Sequence, residues 1–254
     1  MLHPSVNIGE PFIRFSQVGS TNDEARKAIQ EGLATHGMAF YTSNQVAGRG
    51  QHGKSWSTTP GASVALSVLI RPDFLTVLQQ FELNRALALG VWDAVAAYAG
   101  SSKLSLKWPN DLYWEDKKLG GMLIESIVTS SGQWGWAIAG IGLNINQHNF
   151  DPSLPNPISL FQITQKEQDP YTVARNLCSL LNVRLTQLQE KKTELLHKTY
   201  EQRLYKKDQP ARFRSGGRTF TALVKGVTEN GELLLEGEPA SFTTGSIEWL
   251  LPDQ

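Results

Sequence analysis

The segment Gly48-Arg49-Gly50-Gln51-His52-Gly53-Lys54-Ser55 reads as a phosphate-binding loop twice over, yet the residues after it exclude both folds such loops usually serve. It fits G-x-x-x-x-G-K-[ST] and, through Gly48, Gly50 and Gly53, also G-x-G-x-x-G. Both patterns need a strand, the loop, and then a helix whose first N–H groups meet the phosphates. Here Trp56-Ser57-Thr58-Thr59-Pro60-Gly61 comes next, and Pro60 with Gly61 would break a helix within its second turn. Ser63–Ile70 beyond them is apolar or β-branched and predicts a buried strand. No apolar strand ending in Asp stands where a P-loop enzyme holds its Mg²⁺. The physics under the match survives. Three glycines let backbone N–H groups approach an anion, Arg49 and Lys54 bring charge without a helix dipole, and Trp56 offers a face for a base.

Strand and helix periodicities alternate around this loop. Phe12–Phe15 reads as a strand, and Thr21-Asn22-Asp23-Glu24 as a capping box with Thr21 at the N-cap, opening a helix to about Gln30 that stops at Gly32. Met38–Ser43 returns as a strand. Leu75 to Tyr98 carries apolar residues at helical spacing, with Gly90 marking close packing. Leu104–Lys107, Leu112–Trp114, Leu119–Val128 and Trp134–Ile145 are four strand-like runs. A proline-rich connection (Pro152, Pro155, Pro157) leads into helical sequence from Tyr171 to about Tyr205. Then Ala211–Phe213, Thr219–Val227, Glu232–Leu235, Ser241–Thr243 and Ile247–Leu250 predict short strands, with a hairpin signal at Asn230-Gly231. The expectation is an α/β (α+β) chain: a mixed β-sheet packed with helices over 1–206, then a small β-barrel over 207–254.

Composition narrows the function. Lys+Arg and Asp+Glu both number 24 in 254 residues, so a non-specific nucleic-acid binder, which carries a basic excess, is disfavoured. Cys178 is the one cysteine, so disulfides within the chain and Cys-based metal sites are excluded, and its helical surroundings make it a core residue. No metal site is read from the residues. The N-terminus lacks a signal-peptide pattern and no apolar run reaches membrane length, so a cytoplasmic enzyme without membrane contact is expected.

Three further segments stand out. Lys107-Trp108-Pro109-Asn110-Asp111 clusters Trp, Asn and Asp at a strand end, with Pro109 forcing Trp108 into an extended conformation. Lys118-Leu119-Gly120-Gly121 puts a cation beside two glycines. Gly140-Ile141-Gly142-Leu143-Asn144-Ile145-Asn146 has strand glycines, which mark a bulge or a close approach. Taken in order with Ser20-Thr21-Asn22, Gln45 and the glycine-rich loop, these segments resemble biotin–protein ligases (biotin–[acetyl-CoA-carboxylase] ligases) over nearly the whole chain, the terminal strands resembling that family's SH3-like domain.

The resemblance implies a two-step reaction. The biotin carboxylate attacks the α-phosphate of ATP, which arrives with Mg²⁺, to give biotinyl-5′-adenylate and pyrophosphate. A lysine of a biotin carboxyl carrier protein domain then attacks the activated carbonyl and AMP leaves. By position, Ser20, Thr21 and Gln45 hydrogen-bond the ureido ring or polar atoms near it, and Asn22, Gly48, Arg49, Lys118, Gly120 and Gly121 complete the biotin site. Arg49 and Lys54 hold phosphates, Gln51 lies along the same loop, and Trp56 covers adenine. Lys118 bridges the biotin carboxylate and the α-phosphate, Lys107 supports the phosphate side, and Asn110 and Asn144 contact adenine. Asp111 orients or deprotonates the incoming lysine, whose ordinary pKa is about 10.4. Several family members have arginine at the position of Gln51, so this chain supplies less charge there.

Three rival readings compete with this one. Some such ligases repress transcription through an N-terminal helix-turn-helix, but only about twenty residues precede Ser20 here, so a monofunctional form without nucleic-acid binding is expected. A lipoate–protein ligase shares the adenylate logic; the loop and the spacing from Lys107 to Gly121 favour biotin. A non-catalytic interaction protein would not need Arg49, Lys107 and Lys118 together. The resemblance also makes a homodimer through a sheet edge an expectation.

Overall fold

A computed structural model describes residues 7–53, 55, 56, 58–238 and 241–251. In chain order the elements are β1 (Phe12–Arg14), α1 (Thr21–Gln30), β2 (Ala39–Thr42), β3 (Gly48–Arg49), β4 (Ser55–Trp56), β5 (Ser63–Ile70), α2 (Gln80–Ala99), β6 (Leu104–Lys107), β7 (Asp111–Trp114), β8 (Lys117–Val128) and β9 (Trp134–Asn144). They continue with α3 (Leu160–Thr164), α4 (Pro170–Gln189), α5 (Thr193–Gln202), β10 (Pro210–Ser215), β11 (Arg218–Val227), β12 (Leu233–Leu235) and β13 (Glu248–Leu250). Seven strands form one mixed sheet in the order β1-β2-β5-β9-β8-β7-β6, with only β1 and β2 parallel.

Because side chains alternate across a strand, the two faces of this sheet separate by parity. On one face Val64, Leu66, Val68 and Ile70 of β5 join Ala137, Ala139, Ile141 and Leu143 of β9 in the main core with α2 and α4. Gly90 lets α4 approach closely: a Cβ there would lie 2.9 Å from Leu181 Cδ2 and 3.0 Å from its Cα, the tight packing anticipated from sequence. Cys178 is buried in this core, and burial pushes its thiol up to about 12, which makes it inert. On the opposite face α1 covers only part of the sheet, packing Ala25 and Ala28 on Phe40, Leu69 and Ile138. The rest of that face is bordered by the C-terminal sheet, where Tyr113 meets Tyr205, and Tyr205 meets Trp249. Between α1 and this aromatic wall lies a trough.

Several expectations are corrected. The N-cap of α1 is Ser20, not Thr21, and no side-chain cap bond forms; Thr21 is the first helical residue and its hydroxyl turns to Gln45 and Ser67 instead. The helix expected from Leu75 starts at Gln80 after a 3₁₀ turn capped by Thr76, and the long run to Tyr205 is two helices broken at 190–192, where Lys191 has φ +58°. Within the glycine-rich loop Gly48 pairs with Trp56 and Arg49 with Ser55. At the C-terminus, 241–243 makes only an isolated bridge at Phe242. The four strands there run β12-β11-β10-β13, and no pairing between β12 and β13 closes a barrel among the described residues. Among the described residues no helix is long and apolar enough to cross a membrane.

Candidate active site

The floor of the trough consists of small residues in register. Ala65 lies opposite Gly142, which lies opposite Gly121, which lies opposite Asp111; one row along, Ser67 faces Gly140 and Gly140 faces Leu123. A Cβ on Gly140 would sit 2.4 Å from Asn22 Oδ1, and one on Gly142 would sit 2.4 Å from Trp56 Cε2. Each position is glycine because another residue's functional group occupies the space a side chain would take. The close approach read from these strand glycines is therefore present.

At one end, residues 44–47 run beside 18–19, with Val46 N–H donating to Val18 O and Ala47 N–H to Gly19 O, which carries Gln45 to the start of α1. Gln45 Oε1 accepts from Thr21 N (2.9 Å) and from Thr21 Oγ1 (3.2 Å). Asn22 Nδ2 donates to Glu125 Oε2 at 2.9 Å, while its Oδ1 lies 2.5 Å from Ser67 Oγ, which also lies 2.7 Å from Thr21 Oγ1. Ser20, Thr21, Asn22, Gln45 and Ser67 are all buried. Gly48 is required here, since a Cβ would fall 2.3 Å from Gln45 Nε2.

Lys118 reaches the trough through a bulge. Asp111 pairs with Gly121 and Leu112 with Gly120, but Tyr113 pairs with Lys118, so β8 carries an extra residue at Leu119. The extra residue flips parity: Leu119 turns into the core and Lys118 onto the face shared by Asp111 and Gly121. Its Nζ lies 2.7 Å from Asp111 Oδ1 and 5.8 Å from the Trp56 ring centroid. The backbone is pinned from the other side, Lys118 N–H donating to Asn156 O and Lys118 O accepting from Ile158 N–H. Gly121 leaves room, as a Cβ would be 2.9 Å from Asp111 Oδ1. Arg49 lies at the mouth, bonded through NH1 to Asp23 Oδ2 (3.0 Å) and through NH2 to Asp23 Oδ1; this pairing raises its pKa, so it stays charged. Arg49, Gly50, Gln51, Gly53, Leu123, Glu125 and Thr244 line a cavity of about 390 Å³.

The other sequence-selected residues have the following surroundings. Gly120 turns its Cα substituent side away from the trough, where a Cβ would meet Leu143 Cδ2 at 2.5 Å. Asn110 donates to Met122 O and receives Met122 N–H on its own carbonyl, which ties the turn after Pro109 to β8. The Trp108–Pro109 bond is cis, and fully buried Trp108 donates to Gly231 O at 2.8 Å. Lys107 sits across from Asp111, with its ammonium over the rings of Tyr113 (5.2 Å) and Trp249 (5.4 Å). Asn144 Nδ2 donates to Ile158 O at 3.1 Å. Lys54 lies outside the described residues.

Sequence reading missed Ser67, Glu125, Asp23 and Thr244. A serine inside an otherwise apolar strand was the available signal for Ser67; Thr244 had none, since it reaches the mouth through tertiary packing. The assembly can bind an anionic, elongated molecule. Two cations are held by carboxylate partners, an aromatic face lies over the floor, and a buried polar cluster closes one end.

Residues 15–144 match the model of the biotin/lipoate A/B protein ligase family. The chain is 31% identical over 174 residues to the biotin–[acetyl-CoA-carboxylase] ligase of Mycobacterium tuberculosis, an alignment covering 68% of this chain and 63% of that protein. It is 28% identical over 228 residues to the enzyme of the same name from Paracoccus denitrificans, covering 87% and 92%. Its fold is similar to that of the biotin protein ligase from Aquifex aeolicus in complex with biotin and ATP, with a TM-score of 0.78 and 25% identity over 94% of this chain and 98% of that one.

Proposed function

Because the chain belongs to the biotin/lipoate A/B protein ligase family, we propose that it adenylates biotin with ATP and transfers biotin to a lysine of a biotin carboxyl carrier domain. The observation that carries this reading is convergence: Thr21, Gln45, Trp56, Asp111, Lys118 and the strand glycines come from distant segments and meet on one trough floor. The names of its relatives favour biotin over lipoate.

In this reading the polar end around Thr21 and Gln45 holds the ureido ring, with Asn22 as support. Lys118, with its Nζ beside Gly121 and 5.8 Å from the Trp56 ring centroid, marks where the biotin carboxylate meets the α-phosphate. An ammonium there offsets the charge that two approaching anions bring together, which is the largest obstacle to the first step. A carboxylate oxygen forms the new bond to phosphorus, and pyrophosphate leaves toward Arg49. In the second step the acceptor amine attacks the carbonyl carbon, AMP departs, and the proton of the amine passes toward Asp111, which sits 2.7 Å from Lys118. Holding both reactants in one trough converts encounters into oriented contacts. Asn110 and Lys107 shape the turn and wall beside this centre. Mg²⁺ would be carried mainly by phosphate oxygens and water, since the carboxylates Asp23 and Asp111 are each spent on a cation.

Residues 207–254 form the accessory C-terminal domain of this reading, reaching the mouth through Thr244. Among the described residues Leu123–Val128 of β8 pairs with β9 alone, which offers an edge for a second copy of the chain. Biotin-dependent exchange of pyrophosphate into ATP tests the first step, and ATP-dependent attachment of radiolabelled biotin to a carrier domain tests the second. Exchange with lipoate but not biotin, or no exchange with either, would sink the assignment.

A further inference from the structure

Gln147 lies just beyond β9 and is 4% exposed, yet it has no part in the chemistry assigned to the trough. Its Nε2 donates to Ser63 Oγ at 2.7 Å and, at 3.4 Å, to Asn144 Oδ1. The neighbours decide which way this amide points. Asn144 Nδ2 donates to Ile158 O (3.1 Å) and Lys118 O (3.5 Å), so the oxygen end of Asn144 faces Gln147 and requires its nitrogen end. The oxygen of Gln147 is what remains. It is buried and has no hydrogen-bond partner among the described residues.

Its place in the fold is informative. Ser63 and Asn144 are paired on the trough face, the next same-face pair along from Ala65 and Gly142, about 7 Å away. Trp56 lies on Gly142, and its indole Nε1 is also buried and unpartnered among the described residues. The lone acceptor and the lone donor therefore belong to residues anchored on adjacent rows of the same strand face. Buried polar groups in folded proteins are nearly always satisfied, and such a pair beside an aromatic ring points to a planar ligand with a polar edge.

We propose that Gln147 is the base-specificity residue of the nucleotide subsite, its Oε1 accepting a hydrogen bond from the exocyclic 6-amino group of adenine. This rests on the reading of ATP as substrate. The base displaces the Trp56 ring from its seat on Gly142 and stacks against it, and its amino group donates to the lone oxygen. A 6-oxo purine presents an acceptor at that point, and the nitrogen end of Gln147 cannot turn to meet it while Ser63 and Asn144 hold it. A purine without the 6-substituent leaves the oxygen unpaired. Asn144, with both ends engaged, acts here as a positioning residue for Gln147.

The test is biotin-dependent pyrophosphate exchange by the full chain with ATP, GTP and purine riboside 5′-triphosphate, which lacks the 6-amino group. The wild-type protein is expected to show a KM for the purine analogue about tenfold or more above that for ATP, as when a buried acceptor is left unpaired, and weaker use of GTP still. Gln147→Leu and the unbranched Gln147→Met should raise the KM for ATP to within about twofold of the analogue while leaving the analogue's KM unchanged. A structural defect would move both nucleotides together. A wild-type ratio near one overturns the inference and needs no variant; so does a ratio preserved in either folded variant. Absence of any exchange in the wild type overturns the ligase reading as well, so the two failures are distinguishable.

Discussion

The two ends of the trough are built by opposite rules. At the Thr21–Gln45 end the polar groups satisfy one another: Gln45 bonds Thr21, Ser67 bridges Thr21 and Asn22, and Glu125 takes the amide of Asn22. At the Trp56–Gln147 end two buried polar atoms have no partner among the described residues. A ligand at the first end must replace bonds that already exist, so its net gain per contact is small and depends on matching the whole pattern. A ligand at the second end meets groups whose desolvation is already complete, so each new bond adds more, on the order of 1–3 kcal/mol. Selectivity at one end comes from a preformed network, and at the other from atoms left waiting.

Lys118 holds its ammonium beside Gly121, in the row that Trp56 covers, and its loss should have the largest effect. Lys118→Ala is expected to lower kcat for exchange roughly 10²–10³-fold, the range for removing a group aimed at developing charge, with little change in either KM. Lys118→Arg should not restore it, because the space beside Gly121 and Asp111 fits an ammonium.

Paired glycine substitutions break the comparison directly. Gly140→Ala pushes a methyl into Asn22, which Ser67 and Glu125 pin, so the expected cost is about 1–3 kcal/mol of stability together with weaker biotin use. Gly142→Ala pushes instead into Trp56, whose ring stands on a loop and can lift; stability should change by less than about 1 kcal/mol while the KM for ATP rises. Denaturant unfolding alongside the exchange assay separates the two, and equal stability losses would show that the ends do not differ.

Ser67→Ala removes one shared hydroxyl and should cost about 1 kcal/mol, with a severalfold higher KM for biotin and none for ATP. Calorimetric titration with biotin reads this directly.

The smallest effect lies away from both ends. Asp116 accepts from Tyr205 and pairs with Lys206, and these hold its carboxyl below the ordinary 3.8. A depressed folded-state value contributes stability that is present above that ordinary value and is lost as pH falls through the depressed one. Asp116→Asn should therefore flatten the acid limb of the stability curve slightly, without moving exchange kinetics near neutral pH.

Much of this was legible in the chain itself. Strand glycines, the cationic loop and the cluster from Lys107 to Asp111 are local patterns with local physical causes, and nearly every strand is found within a residue or two of its expected bounds. The misses share one cause. Thr21 looks like a cap because Ser/Thr with Glu three positions on is the local signature, yet Gln45, 24 positions away, captures its hydroxyl. Lys107 keeps its place across from Asp111, and the fold adds Trp249 from the far end of the chain under its ammonium.

Sequence alone determined that Gly48–Ser55 cannot open a helix, because Pro60 and Gly61 forbid it, and that the glycines at 140 and 142 leave space above a strand. What fills that space was decided only by the tertiary structure. Register places Gly121, Gly142 and Ala65 in one row, the bulge at Leu119 turns Lys118 onto that row, and the hydrogen bonds of Asn144 leave the oxygen of Gln147 alone among the described residues. Side-chain direction in a strand reverses with a single residue, so chemistry on a sheet face is set by pairing between distant segments rather than by local composition.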